Sequence, residues 1–463
     1  MNDLAKDHKR IEGLLKKYDA AVPRYTSYPP IPYWGDSNEE QVKGWLADAR
    51  GKADNEPLSI YVHIPFCRKR CLYCGCFVII SPKKDPADPY MDCINREMEL
   101  MRESMGVARP VRQFHLGGGT PTFISMDAMT RLVETAKGLF PFEKDVEMSI
   151  EVDPRTVDTR QLEHLRSLGF NRVSLGVQDF HEKVQKAVDR IQPYDQVERL
   201  VTAGKNLGFL SVNFDLIYGL PYQTRETYEH TLDKVIELRP GRIAMYNFAY
   251  LPKSMPFQRR LDPESLPNPD EKLAIFMLAR ERLGKAGYQY IGLDHFALNE
   301  DDLSVSYRDG SMRRNFMGYT TQAGTDLLAF GVSGITEFQG KFWQNEKKLN
   351  RYEQIINDGH LPIIRGMELS PDDLMRKSLI SALFCESGFD FAAMAEKFDP
   401  KLRELLEYEV QALKPLQEDG LVELSDKGIR VTVDGQLFLR NIAVLFDNHL
   451  RSRERPAQFS RTV

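Results

Sequence analysis

The sequence predicts an α/β protein built on a parallel sheet, and three observations lead there. Short apolar runs recur through the first 250 residues, amphipathic segments with apolar residues three and four apart separate them, and nearly every run ends in glycine or polar residues. Strands alternating with helices give right-handed βαβ units and parallel pairing. Six such units fit within residues 57–250. Periodicity leaves both an open doubly wound sheet and a partly closed barrel in play. The polar strand ends favour the barrel, whose sites are assembled from the C-terminal ends of several strands. The fold class expected is an incomplete parallel (β/α)6 TIM-like barrel with an N-terminal segment and a C-terminal, mostly helical, winged-helix-like domain. The boundaries read as 1–56 for the segment, which closes the site, 57–345 for the barrel with its extension, and 346–463 for the last domain.

Taken in order, the strands are "SIYVHI" (59–64), "QFHL" (113–116), "EMSIEV" (147–152), "RVSLGV" (172–177), "SVNFDLI" (211–217) and "RIAMYNF" (242–248), with "YQYIGLDHF" (288–296) as a further candidate. Helical patterns such as "DPYMDCINREMELMRE", "DTRQLEHLRSLG" and "TRETYEHTLDKVIEL" lie between them. The last hundred residues change character. "SPDDLMRKSLISALF" and "PKLRELLEYEVQALKPLQEDG" read as helices, "LVELSDKGIRVTV" as a hairpin turning at Asp426-Lys427-Gly428, and "DGQLFLRNIAVLFDNHL" as another helix. That order suits a winged helix, which often binds DNA. Sixty-two basic against sixty-seven acidic residues, a net charge of -5, lack the electrostatic footprint of a nucleic-acid binder, so a packing or lid domain is the better reading.

No stretch approaches the ~20 apolar residues of a membrane span. The start, "MNDLAKDHKRIEGLLKKYD", is charged throughout and has no apolar core of a signal peptide. A cytoplasmic protein with no membrane partner is expected, and the lack of heptads or a strong apolar patch suggests a monomer.

Cys67, Cys71, Cys74 and Cys76 fall within "YVHIPFCRKRCLYCGCF", directly after the first strand. Cys93 and Cys385 sit in helical patterns and read as small buried hydrophobes. Clustered thiols in a large chain without an export signal point to metal or redox chemistry rather than disulfides. A zinc site needs a second ligand pair, and the nine histidines include no H-x3-5-H. The C-x3-C-x2-C spacing suits an iron–sulfur cluster with one iron left open, with zinc or simply reactive thiols as the alternatives. "LGGGTPT" (116–122) closes the second strand, and such a glycine run lets backbone approach a ligand. It has neither the spacing of a dinucleotide fingerprint nor that of a phosphate loop.

These residues together resemble the radical S-adenosylmethionine (SAM) superfamily. More closely, "PRYTSYP", "YVHIPFC", "CGC", "GGGTPT", "IEVDPR", "GFNRVSLGVQDF", "DLIYGLP", "NFMGYTT" and the terminal "QFSR", running from residue 23 to 461, are similar to the oxygen-independent coproporphyrinogen III oxidase family. The resemblance implies one [4Fe–4S] cluster on Cys67, Cys71 and Cys74, with SAM chelated at the open iron and split on reduction to a 5′-deoxyadenosyl radical. It assigns Tyr61, Gly118 and Glu151 to that SAM. It implies a second SAM on Tyr73, Gly119, Thr120, Gln178, Arg190, Asp215, Ala249 and Ile335. The substrate implied is coproporphyrinogen III, two of whose propionates become vinyl groups as a hydrogen atom, an electron and CO2 leave. Arg24, and Arg313 or Arg314, are candidates for its carboxylates, Cys76 is placed near the site without ligating the cluster, and a reducing electron donor is required. Haem-binding chaperones of the same superfamily are the alternative. They usually carry an aromatic at the position of Cys76 and lack the PRYTSYP and NFMGYTT segments. A zinc-stabilised DNA-binding protein is disfavoured by the missing fourth ligand and by the net charge.

Overall fold

The computed structural model describes residues 2–51, 55–82 and 87–451. The chain forms two compact units that interleave along the sequence. One comprises residues 35–266 and 324–368, and the other residues up to 34, 267–323 and from 369 onward.

In the first unit the six expected strands form and lie side by side in sequence order. They are β1 (Leu58–Ile64), β2 (Val111–Gly118), β3 (Phe142–Val152), β4 (Arg172–Gln178), β5 (Ser211–Tyr218) and β6 (Arg242–Asn247), each parallel to the next. A seventh strand, β7 (Asp326–Phe330), pairs in parallel with the free edge of β1. Beyond it β8 (Ile335–Phe338), β9 (Lys341–Asn345) and β10 (Ile363–Glu368) continue the sheet antiparallel, and Gly35–Asp36 closes the edge. The boundary expected at 345 therefore falls inside a β ladder, because Lys341 pairs with Glu368 and Asn345 with Ile363.

Helices cross over between the parallel strands: α1 (Ala87–Met105), α2 (Met126–Leu139), α3 (Thr159–Leu168), α4 (Tyr194–Asn206) and α5 (Arg225–Leu238). Their ends are set by local chemistry. Asp158 and Gln161 form a reciprocal capping box at the start of α3, and Gly169 ends it at φ 108°, a conformation that costs glycine little. One face of the sheet is apolar and covered, with Phe114, Leu116, Met148, Ile150, Leu175, Phe214 and Leu216 all buried. That burial explains why the strands read as apolar runs. Cys93 is buried on α1 as expected.

The second unit packs around the helix Pro371–Cys385, whose Leu379, Leu383 and Cys385 join a core with Ile11, Leu402, Leu413, Ile429 and Ile442. Gly388–Asp390, Gly428–Val431 and Val422–Leu424 form a three-stranded antiparallel sheet that includes the expected hairpin. Three expectations change here. "YQYIGLDHF" is an antiparallel pair of strands, Tyr288–Gly292 and His295–Leu298, because Gly292 (φ 142°) and Leu293 (φ 50°) turn the chain. The helix expected from Pro400 onward breaks into Leu402–Leu405, Glu407–Ala412 and Lys414–Glu418. Pro415 has no N–H to continue the ladder into the last of these. The closing helix likewise splits into short turns between Gly435 and Arg451. Among the described residues no helix is long and apolar enough to cross a membrane.

Candidate active site

The second face of the parallel sheet carries polar side chains at two-residue spacing. Register aligns Tyr61, His115 and Ser149 in one row across β1, β2 and β3, and Glu151, Ser174 and Asn213 in the next across β3, β4 and β5. Asp215 lies beside Gly176 and Ala244 one row further on. Side chains two apart on a strand share a face, so these residues line one face of the sheet, from early in the strand at Ser174 and Asn213 to near the strand end at Glu151.

Hydrogen bonds knit the rows together. The Tyr61 ring stacks on His115 (centroids 5.8 Å, 19° between planes), and His115 Nδ1 lies 2.7 Å from Ser149 Oγ. His63 Nε2 lies 3.1 Å from the Phe77 carbonyl, which only accepts, so Nε2 carries the proton. Nδ1 is then left to accept from the Tyr61 hydroxyl at 3.0 Å. Burial lowers the His63 pKa, in keeping with a neutral ring. Glu151 reaches from β3 to the end of β2, where one carboxylate oxygen accepts from the Gly118 N–H (3.1 Å) and the other lies 3.6 Å from His115 Nε2.

Directly beyond β1 the cysteine loop leaves the sheet. Phe66–Cys67 and Ile79–Ile80 pair in parallel and close the loop at its base, so Cys67, Cys71, Cys74 and Cys76 all project from one short excursion. The glycine run packs beneath it. Gly119 donates to the Ile64 carbonyl (2.9 Å), Thr120 donates to the Phe66 carbonyl (2.9 Å), and Thr120 Oγ1 lies 3.3 Å from Cys67 Sγ. A Cβ on Gly119 would sit 2.6 Å from the Pro65 carbonyl oxygen, so this approach requires glycine.

Cys71 is buried, and two guanidinium groups donate to its sulfur: Arg155 Nη2 at 3.6 Å and Arg190 Nη1 at 3.5 Å. Asp153 binds both arginines, and although burial opposes its ionisation, Arg190 and Arg155 hold its carboxyl below the usual range. Burial pushes the Cys67 thiol up to about 11, whereas the Cys74 thiol, hydrogen-bonded by Cys76, is drawn down to about 6. The donor set fits the cluster that the motif implies. Three thiols share one loop, the Arg155 and Arg190 guanidinium groups offset thiolate charge, and Arg190 Nε is buried with no acceptor among the described residues. A cleft of about 230 Å³ opens beside Cys67, lined by Lys69, Thr120, Thr122, Asp153 and Arg155.

The remaining positions expected to hold SAM fall mostly at these strand ends. Tyr73 is half-buried in the cysteine loop. Gln178 ends β4 at φ 66°, where an irregularity in the ladder re-aims it, and Arg190 Nη2 donates to the Gly176 carbonyl at 2.6 Å. Burial, and next the Glu151 charge, push Asp215 up to about 7, and Ser174 Oγ donates to it at 3.3 Å. Ala249 follows β6, its carbonyl accepting from Gln258. Ile335 opens β8, which pairs with β7, after the turn Gly331–Gly334, and is buried. Cys76 is exposed.

The arginine candidates for substrate carboxylates lie in the other unit. Arg24 pairs with Asp294. Arg314 donates to the carbonyls of Arg24 and Tyr25 and lies over Phe384, which fastens the PRYTSYP segment to its own unit. Arg440 donates to the Val22 and Pro23 carbonyls in the same way. Arg313 is exposed and sits 3.5 Å from Glu386. The "QFSR" motif lies outside the described residues.

Sequence reasoning missed His63, His115, Ser149, Asp153 and Arg155. The first three had a signal: polar residues two apart inside otherwise apolar strands. Asp153 and Arg155 stand in the quoted "IEVDPR" without having been given a role.

Comparison with known proteins bears on all of this. The radical SAM superfamily model matches residues 61–235, and a model described as the HemN C-terminal domain matches 369–438. An oxygen-independent coproporphyrinogen III oxidase from Salmonella typhimurium is 42% identical over 451 residues, covering 97% of this chain and 98% of the relative. Relatives of the same name from Escherichia coli (strain K12), 41% identical over 97% of this chain and 98% of the relative, and from Synechocystis, 40% identical over 97% of each, agree. The solved structure described as coproporphyrinogen III oxidase (HemN) from Escherichia coli, a radical SAM enzyme, superposes with a TM-score of 0.88 at 40% identity. It covers 93% of this chain and 100% of its own.

Proposed function

The chain belongs to the oxygen-independent coproporphyrinogen III oxidase family of the radical SAM superfamily, and from that premise we propose that it converts two propionates of coproporphyrinogen III to vinyl groups without oxygen, giving protoporphyrinogen IX. The observation that carries the reading is the meeting of a three-cysteine loop with the polar face of the sheet at the C-terminal ends of β1, β2 and β3.

Cys67, Cys71 and Cys74 are the residues to hold a [4Fe–4S] cluster. With SAM bound, that group supplies the means of abstracting a hydrogen atom from an unactivated carbon. Everything else in the reading falls to the chain's own side chains. Glu151, already accepting from Gly118 N–H, offers its second oxygen to the cationic amino group of SAM, while Tyr61 packs alongside. Bare backbone at Gly118 and Gly119 lets a ligand come close. A second SAM on Tyr73, Gly119, Thr120, Gln178, Arg190, Asp215, Ala249 and Ile335 belongs to the same reading, with Asp215 facing ribose hydroxyls. Arg24 holds a propionate in exchange for Asp294. Cys76 stands on the exposed side of the loop, near the substrate. Each propionate gives up a hydrogen atom, an electron and CO2, so a reducing donor and a final electron acceptor are partners outside the chain. We read β1–β6 as a (β/α)6 partial barrel, the C-terminal elements as winged-helix-like, and the protein as a cytoplasmic monomer.

The test is an anaerobic assay of iron-reconstituted protein with dithionite, SAM and coproporphyrinogen III, following vinyl product and 5′-deoxyadenosine together. Both are expected, and both disappear with the iron chromophore in Cys71→Ala. Cys76→Ser keeps the chromophore and loses turnover; unchanged turnover removes Cys76 from the site. Deoxyadenosine without vinyl product moves the substrate elsewhere, and tight haem binding with neither product supports the chaperone alternative.

A further inference from the structure

Two guanidinium groups converge on one sulfur, and only one of them has a place in the reading above. Arg190 belongs to the SAM-binding positions, whereas Arg155 does not. Arg155 nevertheless approaches Cys71 Sγ as closely, 3.6 Å against 3.5 Å. Its orientation is fixed from behind. Asp153 takes Arg155 in a bidentate grip, Nε to Oδ1 at 3.0 Å and Nη2 to Oδ2 at 2.7 Å, while Arg190 Nη1 shares Oδ2 at 3.2 Å. Two positive charges and one negative leave a net positive charge against a buried sulfur. The Arg155 side chain is 21% exposed and that of Asp153 11%, so water and salt screen the pair only in part.

We infer that Arg155, locked by Asp153, is a positioning residue that raises the reduction potential of the cluster through the Cys71 sulfur. The inference rests on the reading of Cys71 as a cluster ligand. Its physical basis is general. Hydrogen bonds to ligating sulfurs and nearby charge are levers on iron–sulfur potentials. The reduced cluster carries one more negative charge than the oxidised one, so a fixed cation stabilises the reduced form more and moves the potential upward. A bidentate carboxylate matters because a free arginine side chain loses rotamer freedom to hold one pose, and Asp153 has already imposed that order. The potential matters because an outside donor must supply the electron.

Removing Arg155 isolates its share, since Arg190 stays tied to the Gly176 carbonyl. The experiment is a redox titration followed by electron paramagnetic resonance, on full-length reconstituted wild type, Arg155→Gln and Arg155→Lys. Iron and sulfide are counted in each, and Cys71→Ala serves as the ligand control. The expected result is wild-type iron content in both arginine variants, a midpoint shifted to more negative potential in Arg155→Gln, and an intermediate value in Arg155→Lys, which keeps the charge but not the fork. An unmoved midpoint in Arg155→Gln beside an iron-free Cys71→Ala overturns this inference alone. If only the lysine variant loads, a midpoint at the wild-type value overturns it as well. Loss of iron from both arginine variants overturns it too, reducing Arg155 to a brace for the loop. Full iron content in Cys71→Ala overturns the ligand reading and this inference with it.

Discussion

Glu97 offers a prediction whose sign reverses with pH. It sits on α1 with 1% of its surface exposed, and among the described residues no cation pairs with it. Three donors point at its carboxylate: the Tyr352 hydroxyl (2.5 Å) and Gly331 N–H (2.8 Å) at one oxygen, and Asn345 Nδ2 (2.6 Å) at the other. Burial outweighs these donors and pushes its pKa from 4.5 up to about 7. A carboxyl with a raised folded pKa contributes its full stability below the unfolded value, and loses it as pH climbs through the folded one. At about 1.4 kcal/mol per pH unit, the interval from 4.5 to about 7 costs the wild type about 3 kcal/mol between pH 4.5 and pH 8.

Glu97→Gln abolishes that titration. The amide oxygen keeps Tyr352 and Gly331, but its NH2 then meets the Asn345 NH2, donor against donor, and about one hydrogen bond worth ~1–2 kcal/mol is lost. The variant is therefore less stable than wild type by up to about 1 kcal/mol at pH 5 and more stable by about 1–2 kcal/mol at pH 8. Thermal melts of the two cluster-loaded proteins across pH 5–8 test this, each kcal/mol moving the midpoint by about 2 °C. Other buried acids titrate in both proteins and cancel in the difference. A deficit of constant size at every pH would refute the reasoning, because Glu97 would then be ionised throughout.

Two further outcomes follow from packing and strapping. Gly119→Ala brings a methyl within 2.7 Å of the Pro65 carbonyl carbon, backbone that cannot swing aside. It is expected to cost about 1–3 kcal/mol and to weaken SAM binding in calorimetry, whereas Gly138→Ala on α2, with nothing within 4 Å, stabilises by ~0.5–1 kcal/mol. Arg314→Met leaves the Arg24 and Tyr25 carbonyls without their charged donor. Limited proteolysis near residue 24 should accelerate and stability fall by about 2–4 kcal/mol, while Arg313→Met, losing a half-exposed contact with Glu386, changes neither by more than about 0.5 kcal/mol.

The parallel strands were legible because the covered face gives each strand its apolar positions, and because each crossover helix follows within the next few dozen residues. What stayed illegible depends on pairing between distant segments. Nothing local in "DLLAF" says that it lies beside "SIYVH", yet Leu327 pairs with Ser59 and Phe330 with Val62. For the same reason residues 267–323 gave no sign of belonging with the C-terminal elements rather than with the strands before them. The cysteine cluster was visible as a motif. The polar face was visible only in part: Glu151 and Asp215 stood out as charges, but His115 and Ser149 sit at the same two-residue phase and read as ordinary strand positions. Phase carried the information, and an apolar count hides it.

That face also shows how differently two acids raised by burial can be bonded. Asp179 and Asp215 are both raised by burial, to about 6 and about 7. Asp179 is surrounded by donors, accepting from the His181 N–H (2.6 Å), the Thr231 hydroxyl (3.0 Å) and Gln223 Nε2 (2.5 Å), so its bonding capacity is spent within the fold. Asp215 accepts one hydrogen bond among the described residues, from Ser174 at 3.3 Å, and the neighbouring Glu151 charge works against it. A half-buried carboxyl left with that much unused capacity has room for further donors. Asp153, half-buried, is instead held ionised by two arginines and spends its charge in aiming them. Three aspartates on neighbouring strands therefore differ in their bonding: one fastens a loop, one orients cations toward a sulfur, and one keeps acceptor capacity that the described residues leave unused.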